Sequence, residues 1–368
     1  MDWALHDPGH GAYGSGRLRI GPRGDFATAP SLGPDFADLL AGQLADWLQL
    51  LAHRQPPHQA LALVEAGPGE GSLAADLAAA LASGWPELAA RTELVLVEPN
   101  GGMAARQRQR LAGCPLPCRW ASFAELAQAP LRGVLLAHEV LDALAVERIV
   151  WDGALWRRQH VALHGGEPAG PSLRLQPGEP LEPGAGEALQ ALGLLPPSPQ
   201  RPPGWATELH PGLEPWLRQA AAALSVGALL VVDYALEAWR YYAPQRSNGT
   251  LMAYQAQQAC ADPLQDPGAA DLTAHLCIDS LERAAAATGW QGLGGCRQGE
   301  ALLALGLAQR LHGLQGDPGG LARLLPRREA LLRLVDPHAL GDFRWLAYGR
   351  GEALPPPRFL QEPGRPNG

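Results

Sequence analysis

Apolar positions fall into two rhythms along this chain. Short apolar runs recur at Leu61–Val64, within Glu93–Val97, within Leu131–Ala137 and within Gly227–Asp233. Each has the length and density of a buried parallel strand. An acid follows each run: Glu65, Glu98, Glu139 with Asp142, and Asp233. Between the runs the spacing changes to three and four. Phe36, Leu39, Leu40, Leu44, Trp47, Leu48 and Leu51 predict an amphipathic helix, and Leu73, Leu77, Ala80 and Leu81 predict a second, stopped by Ser83-Gly84-Trp85-Pro86. A third, basic helix is expected from Gly102 to Leu111, with Arg106, Arg108 and Arg110 on a solvated face. Strands alternating with helices predict an α/β chain with a Rossmann-like, doubly wound parallel sheet.

The same rhythms divide the chain. Residues 1–58 read as a glycine- and proline-rich arm followed by a helix, and 59–146 as the first part of the sheet domain. From 147 to 204 the pattern becomes a β-meander, with Ile149, Val150, Leu155, Trp156, Val161, Leu163, Leu173 and Leu175 broken by Asp152-Gly153 and Gly165-Gly166, then a proline-rich stretch. This segment reads as an insertion. Residues 205–350 return to the sheet domain, with helices expected at Leu213–Leu224, Leu272–Ala287 and Ala301–Leu314 and a last strand at Phe343–Tyr348. Within it, 234–275 carries little regular pattern and reads as an insert on the substrate side. The tail, 351–368, is expected to be disordered because of its prolines.

Composition removes several function classes. The 368 residues include 44 glycines and 35 prolines, so many turns are expected. Net charge is −8 with no basic stripe, so nucleic acid is not expected as a partner. All 29 basic residues are arginine. Without lysine there is neither a P-loop lysine nor a lysine Schiff base for pyridoxal phosphate. The five cysteines are dispersed, which fits reduced thiols; Cys114-Pro-Leu-Pro-Cys118 is half of a zinc pattern with no second pair, so no metal is expected. The first residues have neither a basic start nor an apolar core, and no run reaches the roughly 18 apolar residues of a membrane span. A cytoplasmic protein without membrane insertion is expected.

Candidate chemistry centres on Leu61–Leu73. A strand ends at Glu65, Gly67, Gly69 and Gly71 alternate through a turn, and the helical spacing from Leu73 onward means that the turn opens a helix. Missing side chains let a ligand approach the backbone, and the helix start offers unpaired N–H groups. A dinucleotide site places glycines at relative positions one, three and six, but position six here is Ser72. The acid-x-Gly-x-Gly-x-Gly spacing fits an S-adenosylmethionine site at every position, because a strand-end acid suits a ligand with an ammonium group and repels a pyrophosphate. Glu98, one helix later at the end of the next strand, can accept the hydroxyls of a ribose. Glu139 and Asp142 are three apart; on a helix they share one face and can grip a guanidinium or take a proton from nitrogen. His138 reads either as a ring stacked in the ligand pocket or as a satisfied core histidine.

These residues are similar to a known family. The chain resembles the MidA-like methyltransferases, which include the mitochondrial complex I assembly-factor methyltransferase. The resemblance rests on Gly24-Asp25-Phe26-Ala27-Thr28-Ala29-Pro30, Glu65–Leu73, Val97-Glu98-Pro99, Glu139–Leu144, Val232-Asp233-Tyr234, Asn248-Gly249-Thr250-Leu251, Asp262-Pro263-Leu264, Asp271–His275 and Leu340–Phe343, in that order. It implies a class I methyltransferase sheet with an inserted region and a helical N-terminal extension, S-adenosyl-L-methionine as donor, and a protein arginine, linked to assembly of a respiratory NADH dehydrogenase-type complex, as acceptor. It assigns Glu139 and Asp142 to the acceptor. Asp25 and Thr28 belong to a motif implied to fold over the donor, with Asp25 a third catalytic candidate and Thr28 and His138 on the donor side. Four positions depart from the family pattern: His138 replaces asparagine, Ala235 replaces glycine, Gln257 replaces histidine, and Pro30-Ser31 replaces Pro-Glu. Two rival readings follow. One is a donor-binding assembly chaperone without turnover. The other, a nicotinamide oxidoreductase, is opposed by Ser72. A homodimer is compatible with the long insertion and the apolar C-terminal half.

Overall fold

The computed structural model describes residues 1–21, 24, 28–56, 59–165, 172–195, 197–256, 258–260, 262–314 and 321–361. The chain divides into two compact units. One comprises Arg19–Val140, Trp216–Tyr234 and Ala285–Gly368; the other comprises Met1–Leu18, Leu141–Pro215 and Ala235–Ala284. Both are discontinuous in sequence.

The first unit is built on a seven-stranded sheet. In chain order its strands are β1 (Leu61–Ala66), β2 (Thr92–Val97), β3 (Cys118–Trp120), β4 (Leu131–His138), β5 (Leu224–Asp233), β6 (Gln291–Arg297) and β7 (Arg344–Arg350). Their spatial order is β3-β2-β1-β4-β5-β7-β6. The first five run parallel and β7 lies antiparallel between β5 and β6. The strand order reverses between β1 and β4, where doubly wound sheets bind ligands. Leu61–Ala66 is buried throughout, as a central strand covered on both faces requires. Helix α1 (Asp35–His53) packs its Phe36, Leu40, Leu44 and Trp47 into the same core as α2 (Ser72–Gly84). The third helix, α3 (Gly101–Arg110), starts at Asn100, whose side chain accepts the Met103 N–H at 2.9 Å.

Several segments differ from what the pattern suggested. The prolines after Ala353 suggested disorder, yet Phe359 is 2% exposed, its ring edge-on to Trp47 and to Trp345. One large aromatic outweighs the local proline content up to Gln361; residues 362–368 lie outside the described part. The 301–314 helix is two helices, Gln298–Ala304 and Leu307–Gly313, separated at Gly306 with φ +105°. β6 and the helix Leu321–Leu334 carried no clear periodic signal: β6 contains Gly292, Gly294 and Gly295.

The second unit holds a four-stranded antiparallel sheet in the order 172–180, 156–164, 147–151, 206–209. Trp151, Trp156 and Trp205 form its aromatic centre, with successive ring centroids 5.5 and 5.8 Å apart. The stretch expected to lack pattern is structured. Met252–Gln255 pairs with Gln258–Cys260 and with Asp271–Thr273, and Ala235–Leu236 pairs with Leu276–Cys277. The helix expected over 272–287 starts only at Ile278. Ala235 is accommodated in that short strand, is 4% exposed and has no left-handed backbone, so nothing there demands the family's glycine.

The Asn248-Gly249-Thr250 motif has a structural role in this unit. Glu208 is fully buried; its carboxylate accepts Arg148 Nη1 at 2.7 Å, the Thr250 N–H at 2.8 Å and the Tyr241 hydroxyl at 3.1 Å. Arg148 also donates to the Asn248 carbonyl at 3.1 Å and to Gln159 at 2.7 Å. Gly249 has φ +69°, and a Cβ there would lie 2.0 Å from Glu208 Oε1. Only glycine lets the backbone lie this close to the buried carboxylate.

Candidate functional site

The turn after β1 has the backbone its sequence implied. Gly67, Gly69 and Gly71 all adopt left-handed φ, at +60°, +52° and +75°. The Gly67 N–H extends the ladder to Val97 O at 3.0 Å, and the Gly71 N–H closes the turn on Pro68 O at 2.7 Å. A Cβ on Gly67 would sit 2.8 Å from Val140 Cγ2, so both backbone angle and space exclude a side chain. Gly71 is the N-cap of α2 and supplies no capping side chain. The first N–H groups of this 13-residue helix therefore remain available to a ligand.

Glu65 lies one residue before the end of β1. It is 3% exposed, and among the described residues its Oε2 has no hydrogen-bond partner. Burial alone pushes its carboxyl up to about 8. A carboxylate here would be buried with no cation to match it, so in the free protein the group stays neutral up to that value. On β2, Leu96 is in register with Glu65 and shares its side of the sheet; Glu98 lies two residues further. Glu98 Oε1 accepts the Asn100 N–H at 2.8 Å, and Oε2 accepts Gln107 Nε2 at 3.0 Å. Burial is the largest influence on this carboxyl and raises it above its ordinary value, opposed by both hydrogen bonds and by Arg106.

Farther along the carboxyl edge, β4 ends at His138, which pairs in register with Val232 on β5. The imidazole meets the Phe36 ring edge-on at 5.3 Å, and among the described residues its Nε2 lacks a partner. Burial lowers its pKa to about 3, so the ring is neutral and its 3.4 Å contact with Glu139 is not an ion pair. The histidine is thus packed as a core residue while one ring nitrogen stays unsatisfied.

Glu139 and Asp142 do not share a helical face, because no helix forms there. Glu139 adopts φ +53°, its N–H donates to Val232 O at 2.9 Å, and the chain then turns through 141–144. A spacing of three suits a turn as well as a helix, and the sheet's last hydrogen bond decides the outcome. Glu139 belongs to the first unit and Asp142, 5% exposed, to the second, where its carbonyl accepts the Ala274 N–H at 3.0 Å. In that second unit Asp271 accepts the Tyr13 hydroxyl at 3.0 Å.

Asp25 lies outside the described residues, as does Gln257. Thr28 is 9% exposed and precedes the short helix Ala29–Leu32. Its N–H donates to Ser31 Oγ at 3.0 Å, and that hydroxyl donates back to Thr28 O at 2.6 Å. Ser31 does here what a glutamate does in a capping box, so the Pro30-Ser31 departure leaves the turn intact.

The sequence reading missed two residues. Gln107 on α3 is fully buried; its Nε2 donates to Gly69 O at 2.8 Å as well as to Glu98. Trp120 on β3 donates its indole N–H to Gln107 Oε1 at 2.9 Å. Arginines on either side made the segment read as a solvated helix. The detectable signal was the spacing Met103, Gln107, Leu111, all buried on one face. Arg106 is not on a free solvated face: it pairs with Glu70 of the glycine turn at 3.3 Å.

Among the described residues no cluster of three or more His, Cys, Asp or Glu could hold a metal ion, and no helix is long and apolar enough to cross a membrane.

Residues 39–296 match the profile of a family described as "putative S-adenosyl-L-methionine-dependent methyltransferase". Two solved structures from Burkholderia thailandensis, both of the COG1565 superfamily, are similar over 98% of this chain. One, bound to S-adenosyl-homocysteine, is 29% identical, is covered over 89% of its length and superposes with a TM-score of 0.81. The other, a native crystal structure, is 28% identical, is covered over 88% and has a TM-score of 0.78. No curated protein matches.

Proposed function

We propose, from the premise that this chain belongs to the S-adenosyl-L-methionine-dependent methyltransferase family, that it methylates an arginine side chain of a protein. The fold is that of a class I methyltransferase, and the donor is S-adenosyl-L-methionine. This chain's residues fit that donor: the orphaned Glu65 carboxyl meets an ammonium group, the glycine turn and the uncapped start of α2 take the carboxylate end, and Glu98 takes the ribose hydroxyls. When bound, the donor supplies an electrophilic methyl group on a sulfonium sulfur, open to direct displacement. The protein's part is to hold donor and acceptor in line, and positioning of this kind contributes on the order of 7–11 kcal/mol.

The arginine assignment is carried by one observation. Glu139, at the sheet's carboxyl edge, holds a left-handed backbone without being glycine; among the described residues only Ala256 does the same. Such a conformation costs about 1–3 kcal/mol and persists where surrounding structure imposes it, often at functional sites. A carboxylate fixed this way can pair with a guanidinium and orient its nitrogen. The family resemblance supports a subunit of a respiratory NADH dehydrogenase-type complex as the acceptor. Asp142 is a separate candidate within its own unit.

Cell extract incubated with methyl-labelled donor should yield a labelled protein whose label maps to arginine. Glu139→Gln should reduce transfer at least ~100-fold while S-adenosylhomocysteine affinity stays within about twofold. Label on another residue type, or equal loss of both properties, contradicts the assignment. A donor-binding assembly protein without turnover is the second reading. His138, neutral at the edge where the family carries asparagine, favours it, and donor binding with no labelled protein would support it.

A further inference from the structure

We infer that Gln107 is a positioning residue of the donor site: its carboxamide couples the glycine turn to Glu98 and fixes the direction in which Glu98 presents its remaining lone pairs. The inference rests on the reading that this site binds the donor.

A single amide nitrogen donates to two acceptors from different elements, the Gly69 carbonyl in the turn after β1 and Glu98 Oε2 beyond β2. An amide could satisfy its surroundings in either of two flips. Here the choice is made by Trp120, whose indole can only donate and which donates to Gln107 Oε1. The nitrogen is therefore forced toward Gly69 and Glu98. The other Glu98 oxygen accepts the Asn100 N–H, so both carboxylate oxygens are held by fixed donors while keeping further acceptor capacity for a ligand. Arg106, the preceding residue on α3, pairs with Glu70 in the same turn. The helix thus holds the turn twice, once through an ion pair with a side chain and once through an amide on the backbone. Gln107 itself is fully buried and packs against Gly71, where a Cβ would lie 3.4 Å from Gln107 Cγ. Its role is exerted through Glu98 and Gly69.

A glutamine that merely fills space would lower affinity for every ligand alike. A positioning role predicts something narrower: loss of discrimination at the ribose. Calorimetric titration with S-adenosylhomocysteine and with its 2′-deoxy analogue measures this directly. The wild-type protein is expected to prefer the ribose form by about tenfold or more, because an acceptor built for a hydroxyl is left unpaired without it. Gln107→Met, which keeps length and apolar volume, is expected to weaken S-adenosylhomocysteine about tenfold and to shrink the preference to about twofold. Trp120→Phe keeps the ring and removes the N–H that selects the amide flip; it is expected to shrink the preference by roughly threefold, and it carries the test alone if Gln107→Met does not fold. An unchanged preference in a folded variant, with or without an overall loss of affinity, overturns the role given to Gln107. Failure of the wild-type protein to bind S-adenosylhomocysteine at all overturns the donor-site reading itself.

Discussion

Wild-type affinity for S-adenosylhomocysteine is expected to rise about 50-fold between pH 6 and pH 8, and Glu65→Gln is expected to abolish that rise. Glu65 in the free protein holds its proton up to about pH 8 because burial alone acts on it. A ligand ammonium beside it favours the ionised form, so binding releases a proton. With the carboxylate fully ionised in the complex, affinity gains tenfold per pH unit below 8 and levels off above it. At pH 8 Glu65→Gln should bind on the order of 100-fold more weakly, since a charge-assisted contact becomes a neutral one in a buried place. Stability of the free protein carries the opposite sign. The carboxyl is raised from an ordinary 4.5, so its protonated form stabilises the fold below that value, and the contribution is lost as pH rises toward 8. Glu65→Gln lacks this loss and should gain on the wild type by on the order of a few kcal/mol at pH 8. Calorimetric titration across pH, with thermal unfolding in parallel, checks both signs. A flat wild-type affinity curve from pH 6 to 8, or parallel curves for the wild type and Glu65→Gln, would remove Glu65 from the donor site.

The parts of this site that were legible are those whose cause is local. An apolar run, an acid, and three alternating glycines are contiguous, and each glycine turned out to sit where L side chains are disfavoured. Glu98 follows from the same local rule on the next strand. The parts that were not legible depend on partners distant in sequence. Tyr254 pairs with Asp271 in a strand of three residues, too short and too polar to show a period. The carboxylates at 139 and 142 have helical spacing, but the Glu139 N–H is already committed to Val232 O on the neighbouring strand, and that bond starts a turn instead. Gln107 looked like one polar residue among arginines, because its three partners come from the glycine turn, the residue after β2, and β3. The Asn248-Gly249-Thr250 motif was recognisable as a pattern; its reason, a carboxylate forty residues earlier in the chain, was not.

That carboxylate gives the largest expected effect on stability. Glu208→Ala should destabilise the unit that contains it by about 3–5 kcal/mol, the range for breaking a buried ion pair from one side. The deletion leaves Arg148, 8% exposed, with an unmatched charge and the buried Thr250 N–H without its acceptor, while the Tyr241 hydroxyl keeps only its 2.8 Å contact with the Thr250 hydroxyl. Glu208→Gln should cost less, because an amide oxygen can still accept from Thr250. The double replacement Arg148→Met with Glu208→Leu should cost less than the sum of the two single changes: the charge is removed together with its counter-charge, and two apolar side chains of similar volume fill the space. Gly249 sets the limit on recovery. Its backbone is held in a left-handed conformation that packs directly on the carboxylate, so an apolar side chain at 208 meets main chain where the oxygens were accepting hydrogen bonds. Urea-induced unfolding of Glu208→Ala, Glu208→Gln, Arg148→Met, Glu208→Leu and the double replacement, with amide exchange followed over 147–151 and 206–209, measures this. A loss below about 1 kcal/mol for Glu208→Ala, or strict additivity in the pair, would mean that the motif is held by its turn geometry and not by the buried charge.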